Sequence, residues 1–467
     1  MGAVNVSERL ARFVAEAESV PEEAIARAKR ALLDTLGVAL AGSREESARI
    51  VAEWVHERGG REEATVLGQR FRAPAAEAAL VNGTAGHALD YDDVSLPMRG
   101  HPSAPLLPAV LAAGEKTGCS GRDLLTAFVL GFEVETRLGR AIGEAHYALG
   151  WHATSTLGTL GAAAACAWLL DLDIGRTQMA LGIACSLAGG LQQNFGTMTK
   201  PLHAGWAAHS GVVAVGLAGR GFTADPRALE GESGQTSARP GGFLRAMSGG
   251  AEVDLEPLAA FGDPFEIASS GIGVKLYPCC YAVHRSLDAA LDLRARHRID
   301  PGSIARVKVE VSRGALLPLR QEPPTTGLEG KFSLQYCLAS ALVDGRVSLT
   351  SLTDEAVRRL AVWELMARVE AREGAEPGAF PIGGHAEVRI VLKDGSEHSL
   401  RVDTPRGDPL RPLSWDELAG KFRECAGTVM PTEAVERTLR LVERLEELPD
   451  VHRLTETLRG ASTEVQR

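Results

Sequence analysis

Apolar residues recur every three to four positions from Val4 to about Gly219, which is the spacing of amphipathic helices. Pro21 followed by two glutamates gives a favourable helix start, and Gly42 marks the end of the run that follows. Similar runs cover residues 74–89, 103–117, 121–141, 154–170, 174–188 and 203–219. Several runs are apolar on every side, so the sequence predicts a mostly helical domain with buried central helices.

The pattern changes after Pro226. Residues 226–270 are rich in Gly, Ser and Pro and predict a connection with short helices. Residues 304–312 alternate apolar and polar side chains as a half-buried strand does, and residues 385–403 contain two such runs around a KDGS turn, which indicates a hairpin. Helical patterns lie near 283–297, 333–344 and 353–368. This part predicts a smaller α+β unit.

Two amphipathic segments, SWDELAGKFRECA and TEAVERTLRLVERLEEL, close the chain and need an apolar partner. The helical domain is the best candidate for that partner. We therefore predict a discontinuous all-helical domain, residues 1–270 together with 405–467, and an α+β lid domain at 271–404. The fold class predicted is a mostly α large helical domain plus a smaller α+β lid domain.

Composition narrows the possible partners. The formal net charge is −10 and the isoelectric point is about 5.7, which argues against nucleic acid as a partner. Seven scattered cysteines without a CxxC pair give no zinc or disulfide framework. The N-terminus lacks the apolar core of a signal peptide, and the most apolar stretch, residues 155–170, is too short to span a membrane comfortably. We therefore predict no membrane association and a cytoplasmic location.

The segment HALDYDDVSLPMRGHPS places three aspartates close together and a histidine nearby. Asp90 and Asp93 are one helical spacing apart, whereas Asp92 would point elsewhere if the helix continued. Clustered carboxylates repel one another unless hydrogen bonds or cations hold them. A charged helix end is the plain alternative, but His101 and Ser103 at the start of the next helix favour a site.

Two later segments place cationic or titratable residues at the start of apolar helices. His152 lies in GWHATS, where free backbone N–H groups suit a carboxylate, although a capping role is the alternative. Thr199, Lys200 and His203 lie in TMTKPLHAG, and no acid occurs from Gln192 to Gly219. A lysine there is either an anion ligand or carries a burial cost, so we favour the ligand.

Two more segments fall in the α+β part. Lys275 begins KLYPCC, whose adjacent cysteines suit packed thiols better than a disulfide, because vicinal cysteines rarely pair without strain. Tyr336 lies in KFSLQY at a helix start, where a core residue and a phenolic acid are both open.

These five segments, in this order, resemble the MmgE/PrpD family of lyases, which includes 2-methylcitrate dehydratase, cis-aconitate decarboxylase and iminodisuccinate epimerase. The resemblance implies a helical domain, an α+β lid, a cleft between them, and a homodimer without metal or other cofactor. It assigns catalytic roles at the positions Asp90, His101, His152, Lys200, Lys275 and Tyr336. We add Ser103, Thr199, His203 and Cys280 as substrate-binding candidates.

Two positions depart from the decarboxylase pattern: Val94 replaces a small hydroxylated residue, and Cys280 replaces a histidine. The missing histidine argues against cis-aconitate decarboxylation. The first expectation is therefore a lyase that abstracts a proton beside a carboxylate of a small di- or tricarboxylic acid, as in 2-methylcitrate dehydration. Decarboxylation of cis-aconitate and epimerisation of an iminodisuccinate-like acid are the alternatives. Lysines and histidines beside a carbanion would stabilise its charge without a metal.

Two more distant alternatives use the same segments. Paired aspartates in a helical protein suit a magnesium-dependent prenyl synthase, but no second Asp-rich motif follows residue 200. A non-catalytic helical scaffold with a decayed site would explain Val94 and Cys280, but the remaining motif residues argue against it.

Overall fold

A computed structural model describes residues 5–231, 241–378 and 384–460, and the chain divides into two compact units. The first unit contains Met1–Ile272 and Ser414–Arg467, and the second contains Gly273–Leu413. Most of the glycine- and serine-rich part of the expected connection, residues 232–240, lies outside the described residues.

The N-terminal part of the first unit consists of helices and one short hairpin. The helices are α1 (Val6–Ala15), α2 (Glu22–Gly42), α3 (Glu46–Arg58), α4 (Ala75–Ala88), α5 (Ser103–Thr117), α6 (Gly121–Ile142), α7 (Glu144–Ala148), α8 (Ala153–Leu169), α9 (Ile174–Leu187), α10 (Thr199–Ala218), α11 (Phe243–Met247) and α12 (Glu266–Ser269). Strands β1 (Ala64–Thr65) and β2 (Arg72–Ala73) pair antiparallel.

The second unit packs five helices with a four-stranded mixed sheet. The helices are α13 (His284–His297), α14 (Gly327–Gly330), α15 (Leu334–Asp344), α16 (Asp354–Val357) and α17 (Leu360–Met366). The strands are β3 (Ile304–Arg313), β4 (Val369–Pro377), β5 (Ala386–Leu392) and β6 (Glu397–Val402), in the order β4-β3-β5-β6. Strand β4 is parallel to β3, and the other pairs are antiparallel.

The chain then returns to the first unit with α18 (Trp415–Ala426), α19 (Thr432–Glu443) and α20 (His452–Thr455). Helix α18 begins at a capping box, in which the Ser414 hydroxyl accepts from the amide of Glu417 and the Glu417 carboxylate accepts from the amide of Ser414. Helices α18 and α19 both pack against α2, so the closing segments find their apolar partner in the helical unit.

The periodicity predicts the ends of the following long elements to within four residues. The run from Pro21 forms α2, the six further runs form α4, α5, α6, α8, α9 and α10, and the KDGS hairpin forms β5 and β6. The structure is thus mostly helical with a small mixed sheet, which confirms the predicted combination of a large helical part and a smaller α+β part. No described helix is long and apolar enough to cross a membrane.

The helical pattern predicted near residues 353–368 is confirmed, but the helix is interrupted after Val357. Two short helices, α16 and α17, occupy that stretch, and the strand β4 follows with no counterpart in the sequence analysis. The sequence of β4, VEAREGAEP, has one buried residue, Val369, and is otherwise largely exposed. It lies at the edge of the sheet and is held by main-chain pairing with β3, so it shows no apolar alternation.

Close helix packing determines the geometry of the first unit. Helix α8, rich in alanine and glycine, is buried along nearly its whole length and contacts α5, α6, α9 and α10. Helices α4 and α10 cross at Gly83 and Gly205, where a Cβ on Gly205 would lie 2.2 Å from the carbonyl oxygen of Leu80. This crossing lets the end of α4 approach the start of α10.

Candidate active site

The acidic segment leaves the helix at its first aspartate. Helix α4 ends at Ala88, and Asp90 takes a left-handed backbone conformation with φ of 52°. Left-handed backbone is unfavourable for a residue with a side chain, although aspartate tolerates it better than most. The helix therefore does not continue through Asp92, and the expected helical spacing of Asp90 and Asp93 does not apply.

Asp90 forms a buried ion pair with the lysine that the sequence singled out. Lys200 lies in the first turn of α10, and its Nζ is 2.5 Å from Oδ1 of Asp90. Both side chains are about 5% exposed, and the ammonium also lies 5.4 Å from the ring centre of Phe195. A cation is thus fixed in the first turn of a helix, at the positive end of the helix dipole, where it suits an anionic ligand.

His101 is oriented by two acceptors on one side of its ring. Its Nδ1 lies 2.9 Å from the carbonyl oxygen of Asp93 and 3.3 Å from Oδ2 of Asp92. A carbonyl oxygen can only accept, so Nδ1 carries a proton and Nε2 is the atom that exchanges one. That Nε2 is 3.9 Å from Oδ1 of Asp90, and the His101 side chain keeps 14% of its surface exposed.

Asp92 is an ionised carboxylate between two histidines. Burial acts to raise the pKa of Asp92, but the neighbouring His101 and His87 hold that pKa well below its usual value. His87 contacts Asp92 through Nδ1 at 2.8 Å. Burial lowers the pKa of His87 to about 3, with Lys200 acting in the same direction, so this imidazole is neutral at physiological pH. Asp92 can therefore stabilise a positive charge that forms on His101.

Asp93 behaves differently from its neighbour. Ser103 donates to it twice, from its amide at 3.2 Å and from its hydroxyl in a short contact. Burial raises the pKa of Asp93 to about 8, and the charges of Asp34 and Asp92 act in the same direction. Asp93 is thus a neutral acid at pH 7. Ser103, a substrate-binding candidate, is fully buried and its hydroxyl is engaged with Asp93, so it supports the loop.

Four imidazoles form a row beside Lys200. The ring centre of His87 lies 4.6 Å from the ring centre of His101 and 5.6 Å from that of His152. His152, at the start of α8, contacts His203 of α10 through the two Nδ1 atoms at 3.0 Å. Burial lowers the pKa of His203 to about 4 and holds that of His152 well below its usual value, with Lys200 contributing to both. These two rings are neutral and can donate or accept hydrogen bonds.

The described structure thus brings together most of the candidates of the first unit. Asp90, His101 and Lys200 meet directly, while His152 and His203 extend the same cluster through His87. Thr199 is half-buried at the start of α10, next to Lys200, and its amide bonds the hydroxyl of Thr197.

The remaining candidates lie in the second unit. Lys275 and Tyr336 are fully buried there, and Cys280 is 8% exposed with its amide donating to the carbonyl of Lys331. The hydroxyl of Tyr336 donates to the carbonyl of Ser351 at 2.5 Å, and burial raises the pKa of Tyr336 above its usual value. Within its own unit Tyr336 is a core residue, and its role as a proton donor stays a prediction.

One cluster has the composition of a metal site. His87, Asp90, Asp92 and His101 offer four ligand atoms that lie within 4.8 Å of one another. The donors are already engaged, however: the ammonium of Lys200 pairs with Asp90, and the two histidines pair with Asp92. A divalent cation would have to displace these contacts, so the donor set fits an internal ion network better than a metal centre.

Sequence reasoning missed two members of this network, His87 and Asp92. His87 was visible within the motif HALDYDD, but a histidine inside an apolar helix gives no sign of its partner. Asp92 receives no role from the sequence, because a continuing helix would point it away from Asp90 and Asp93. The left-handed backbone at Asp90 ends the helical geometry before Asp92, and an aspartate in the sequence does not announce it, because most aspartates adopt other conformations.

The chain belongs to the MmgE/PrpD family. The MmgE/PrpD N-terminal domain matches residues 8–256, and the MmgE/PrpD C-terminal domain matches residues 277–447. This confirms the family resemblance and the prediction that the chain is a lyase, and it separates the chain from the prenyl synthases.

Three relatives illustrate the similarity. The cis-aconitate decarboxylase of Mus musculus is 34% identical over 94% of this chain and 90% of its own length. That of Homo sapiens is 32% identical, with 94% and 91% covered. That of Aspergillus terreus is 30% identical, with 94% and 93% covered.

Proposed function

We propose that this lyase decarboxylates a small unsaturated tricarboxylate, with cis-aconitate as the first substrate to test. The observation that carries the proposal is the buried Lys200, held by Asp90 at a helix start beside a histidine that can exchange a proton. The relatives named above act on cis-aconitate, which moves decarboxylation ahead of the dehydration expected first.

The chemistry requires an anion ligand and a proton donor. In an acid of this type the bond to the carboxylate on the CH2 carbon breaks and CO2 leaves. The electron pair forms a new carbon–carbon double bond, and the electrons of the old double bond move to the carbon beside another carboxylate. That carbon then takes one proton. A cation on the adjacent carboxylate stabilises the charge that develops in this step.

We assign these two tasks to different residues. Lys200 binds the carboxylate on which charge develops, and Asp90 keeps its ammonium in place. His101 delivers the proton from Nε2, because Nδ1 is committed to Asp93 and Asp92 supports the imidazolium form. This makes His101 the acid–base residue and leaves Asp90 as the partner of Lys200.

The other candidates keep supporting roles in the proposal. His152, His203 and Thr199 supply neutral hydrogen-bonding groups for the remaining carboxylates. Lys275, Cys280 and Tyr336 are assigned to the site through the family resemblance, with Lys275 as a second carboxylate ligand. The proposal requires no metal.

Dehydration of a hydroxylated tricarboxylate such as 2-methylcitrate is the second candidate. The observation that favours it is Cys280, which replaces the histidine of the decarboxylase pattern. The same residues would serve, with His101 taking a proton beside a carboxylate instead of delivering one. Epimerisation of an iminodisuccinate-like acid needs the same proton abstraction without a leaving group.

Incubation of the purified protein in deuterated water with cis-aconitate, 2-methylcitrate, citrate or iminodisuccinate, followed by proton NMR, tests the proposal. We expect CO2 release from cis-aconitate and one deuterium on the product carbon beside a carboxylate. Water loss from 2-methylcitrate without CO2 release would replace the proposal by its second candidate. If the folded protein transforms none of the four acids and none raises its melting temperature, a non-catalytic scaffold is the better explanation.

A matched pair of variants identifies the role of Lys200 in that assay. The double variant Asp90→Asn/Lys200→Met removes the ion pair without leaving a buried charge unpaired, and we expect it to fold and to lose activity. Lys116→Met removes a more exposed lysine of the same unit, which pairs with Glu63 at 3.4 Å, and serves as the control. Near-normal turnover by the folded double variant would refute the assignment.

We also propose a homodimer and a cytoplasmic location, the first implied by the family resemblance and the second by composition. Light scattering at several protein concentrations measures the oligomeric state. A monomer at micromolar concentration would contradict the dimer.

A further inference from the structure

A buried lysine from the C-terminal part of the chain contacts the acidic loop, which is the segment of residues 89–102 between α4 and α5. Lys421 lies on α18, and its side chain is 3% exposed. Its Nζ is 2.7 Å from Oδ1 of Asp34 on α2 and donates to the carbonyl oxygen of Tyr91 at 2.8 Å. The ammonium also lies 3.8 Å from the ring centre of Tyr91. Three stretches that are distant in sequence therefore meet at one charge.

Tyr91 directly follows the residue with the unusual backbone. Asp90 adopts the left-handed conformation that aims its carboxylate at Lys200, and this conformation persists only where the surroundings hold it. Lys421 holds the next residue from two sides, through the main-chain carbonyl and through the aromatic face. Both contacts restrain Tyr91, the residue that follows Asp90: one holds its side chain and the other holds its peptide bond to Asp92.

We propose that Lys421 is a positioning residue for the site: it fixes the turn at Asp90 and Tyr91, and thereby holds Asp90 against Lys200. Asp34 is its partner and keeps the ammonium aimed at the carbonyl of Tyr91. This inference rests on the proposed function only in so far as Lys200 and Asp90 serve catalysis. The geometric part, that Lys421 holds the turn, stands without it.

An ion pair is a costly way to pack two helices. Replacing a buried pair by apolar side chains of similar volume is often neutral or stabilising, so packing of α18 on α2 does not by itself require Lys421 and Asp34. Lys421 also donates a hydrogen bond to the carbonyl oxygen of Tyr91, which an apolar residue cannot do.

The test compares two double variants. Asp34→Asn/Lys421→Met removes the contacts of Lys421 with Asp34 and Tyr91 and leaves no buried charge unpaired. We therefore expect this double variant to fold even if Lys421→Met alone does not. Lys29→Met/Glu446→Gln removes a second ion pair, at 2.9 Å, that also joins α2 to the C-terminal segment but does not contact the acidic loop. Amide hydrogen exchange is followed by mass spectrometry on peptides that cover residues 87–101, together with kcat and KM.

We expect the exchange of residues 87–101 to accelerate about tenfold or more in the first double variant and to stay unchanged in the control. We expect kcat to fall about 10- to 100-fold with KM within about threefold, because a small misplacement of a catalytic group affects the reacting geometry more than ground-state binding. A purely structural role would lower the melting temperature of both double variants and leave the kcat of the folded enzyme unchanged.

Three results would overturn the inference: unchanged exchange at residues 87–101 of the first double variant, equal acceleration in the control, or accelerated exchange with unchanged kcat. If the wild type transforms none of the acids tested, the proposed function fails, but the exchange comparison still decides whether Lys421 holds the turn. Accelerated exchange with unchanged kcat would reject the positioning role and retain only the structural contact.

Discussion

The protonated state of Asp93 makes a prediction that does not depend on the substrate. Its carboxyl is fully buried, and its pKa of about 8 in the folded protein lies far above the usual value of 3.8 for an aspartate. In the unfolded chain the same group loses its proton near the usual value. Between these two pKa values the unfolded chain is deprotonated while the folded protein keeps its proton.

This difference in bound protons determines whether stability rises or falls with pH. Because the folded state binds more protons in this window, raising the pH favours unfolding. The contribution of Asp93 to the free energy of unfolding falls by about 1.4 kcal/mol per pH unit, or roughly 2.5 kcal/mol between about pH 5.5 and pH 7.5. The loss levels off above the folded pKa, where both states are deprotonated.

Asp93→Asn isolates this contribution. Asparagine has the same shape, can accept from the Ser103 amide through Oδ1, and can donate to the Ser103 hydroxyl through Nδ2. We expect the variant to gain stability relative to the wild type as the pH rises through the window, by the amount above. The measurement is the free energy of unfolding of the full-length protein in urea, at several pH values, for both proteins.

The control is Glu436→Gln, which removes an exposed carboxylate that pairs with Arg423 at 2.6 Å. The pKa of Glu436 is lowered by this hydrogen bond, so its linkage lies below the usual glutamate value and outside the window. Its stability curve should run parallel to that of the wild type. If the Asp93→Asn curve also ran parallel, Asp93 would be ionised in the folded protein and the reasoning would be refuted.

Three further predictions concern the same unit. Asp92→Asn removes the carboxylate behind His101, and we expect kcat to fall by about 10²- to 10⁴-fold in the folded variant; a kcat within about threefold of wild type would remove Asp92 from the mechanism. Dialysis against EDTA followed by the NMR assay should leave turnover unchanged, and recovery of a lost activity by Mg²⁺, Zn²⁺ or Fe²⁺ would instead point to a metal on His87, Asp90, Asp92 and His101. Gly205→Ala places a Cβ against the carbonyl of Leu80, and we expect the free energy of unfolding to fall by about 3 kcal/mol or more. The control is Gly420→Ala, where the new Cβ enters open space, and we expect it to change that free energy by less than about 1 kcal/mol.

The sequence predicts those parts of the fold whose periodicity is dictated by burial. Helices such as α6 and α8 repeat apolar residues because they pack on several sides, and β3 and β5 alternate because one face is covered. Strand β4 escapes prediction because it is held by main-chain pairing at a sheet edge, and its charged side chains carry no alternation. The local pattern of apolar and polar residues indicates which side of an element is buried. It does not indicate main-chain pairing between segments that are distant in sequence.

The same limit applies to the site. Lys200 could be singled out because a lysine in an acid-free apolar helix start is unusual, and that signal is local. Asp92 could not be singled out, because its position depends on the left-handed backbone at Asp90. Lys421 could not either, because its contact is with a carbonyl 330 positions earlier in the chain. Lys421 in particular looks like an ordinary charge on the polar face of an amphipathic segment.

The crossing of α4 and α10 at Gly83 and Gly205 has a consequence for how this enzyme can vary. The close approach of the two helices, on which the pairing of Asp90 with Lys200 depends, requires two residues that have no side chain and take no part in the chemistry. A side chain at either glycine would push the two helices apart. The ion pair would then be separated even though the new side chain lies away from the reacting groups. The reacting groups could be exchanged for others within this frame, and the substrate could change with them, while the two glycines could not. In such a protein the positions least free to change are those that maintain a distance.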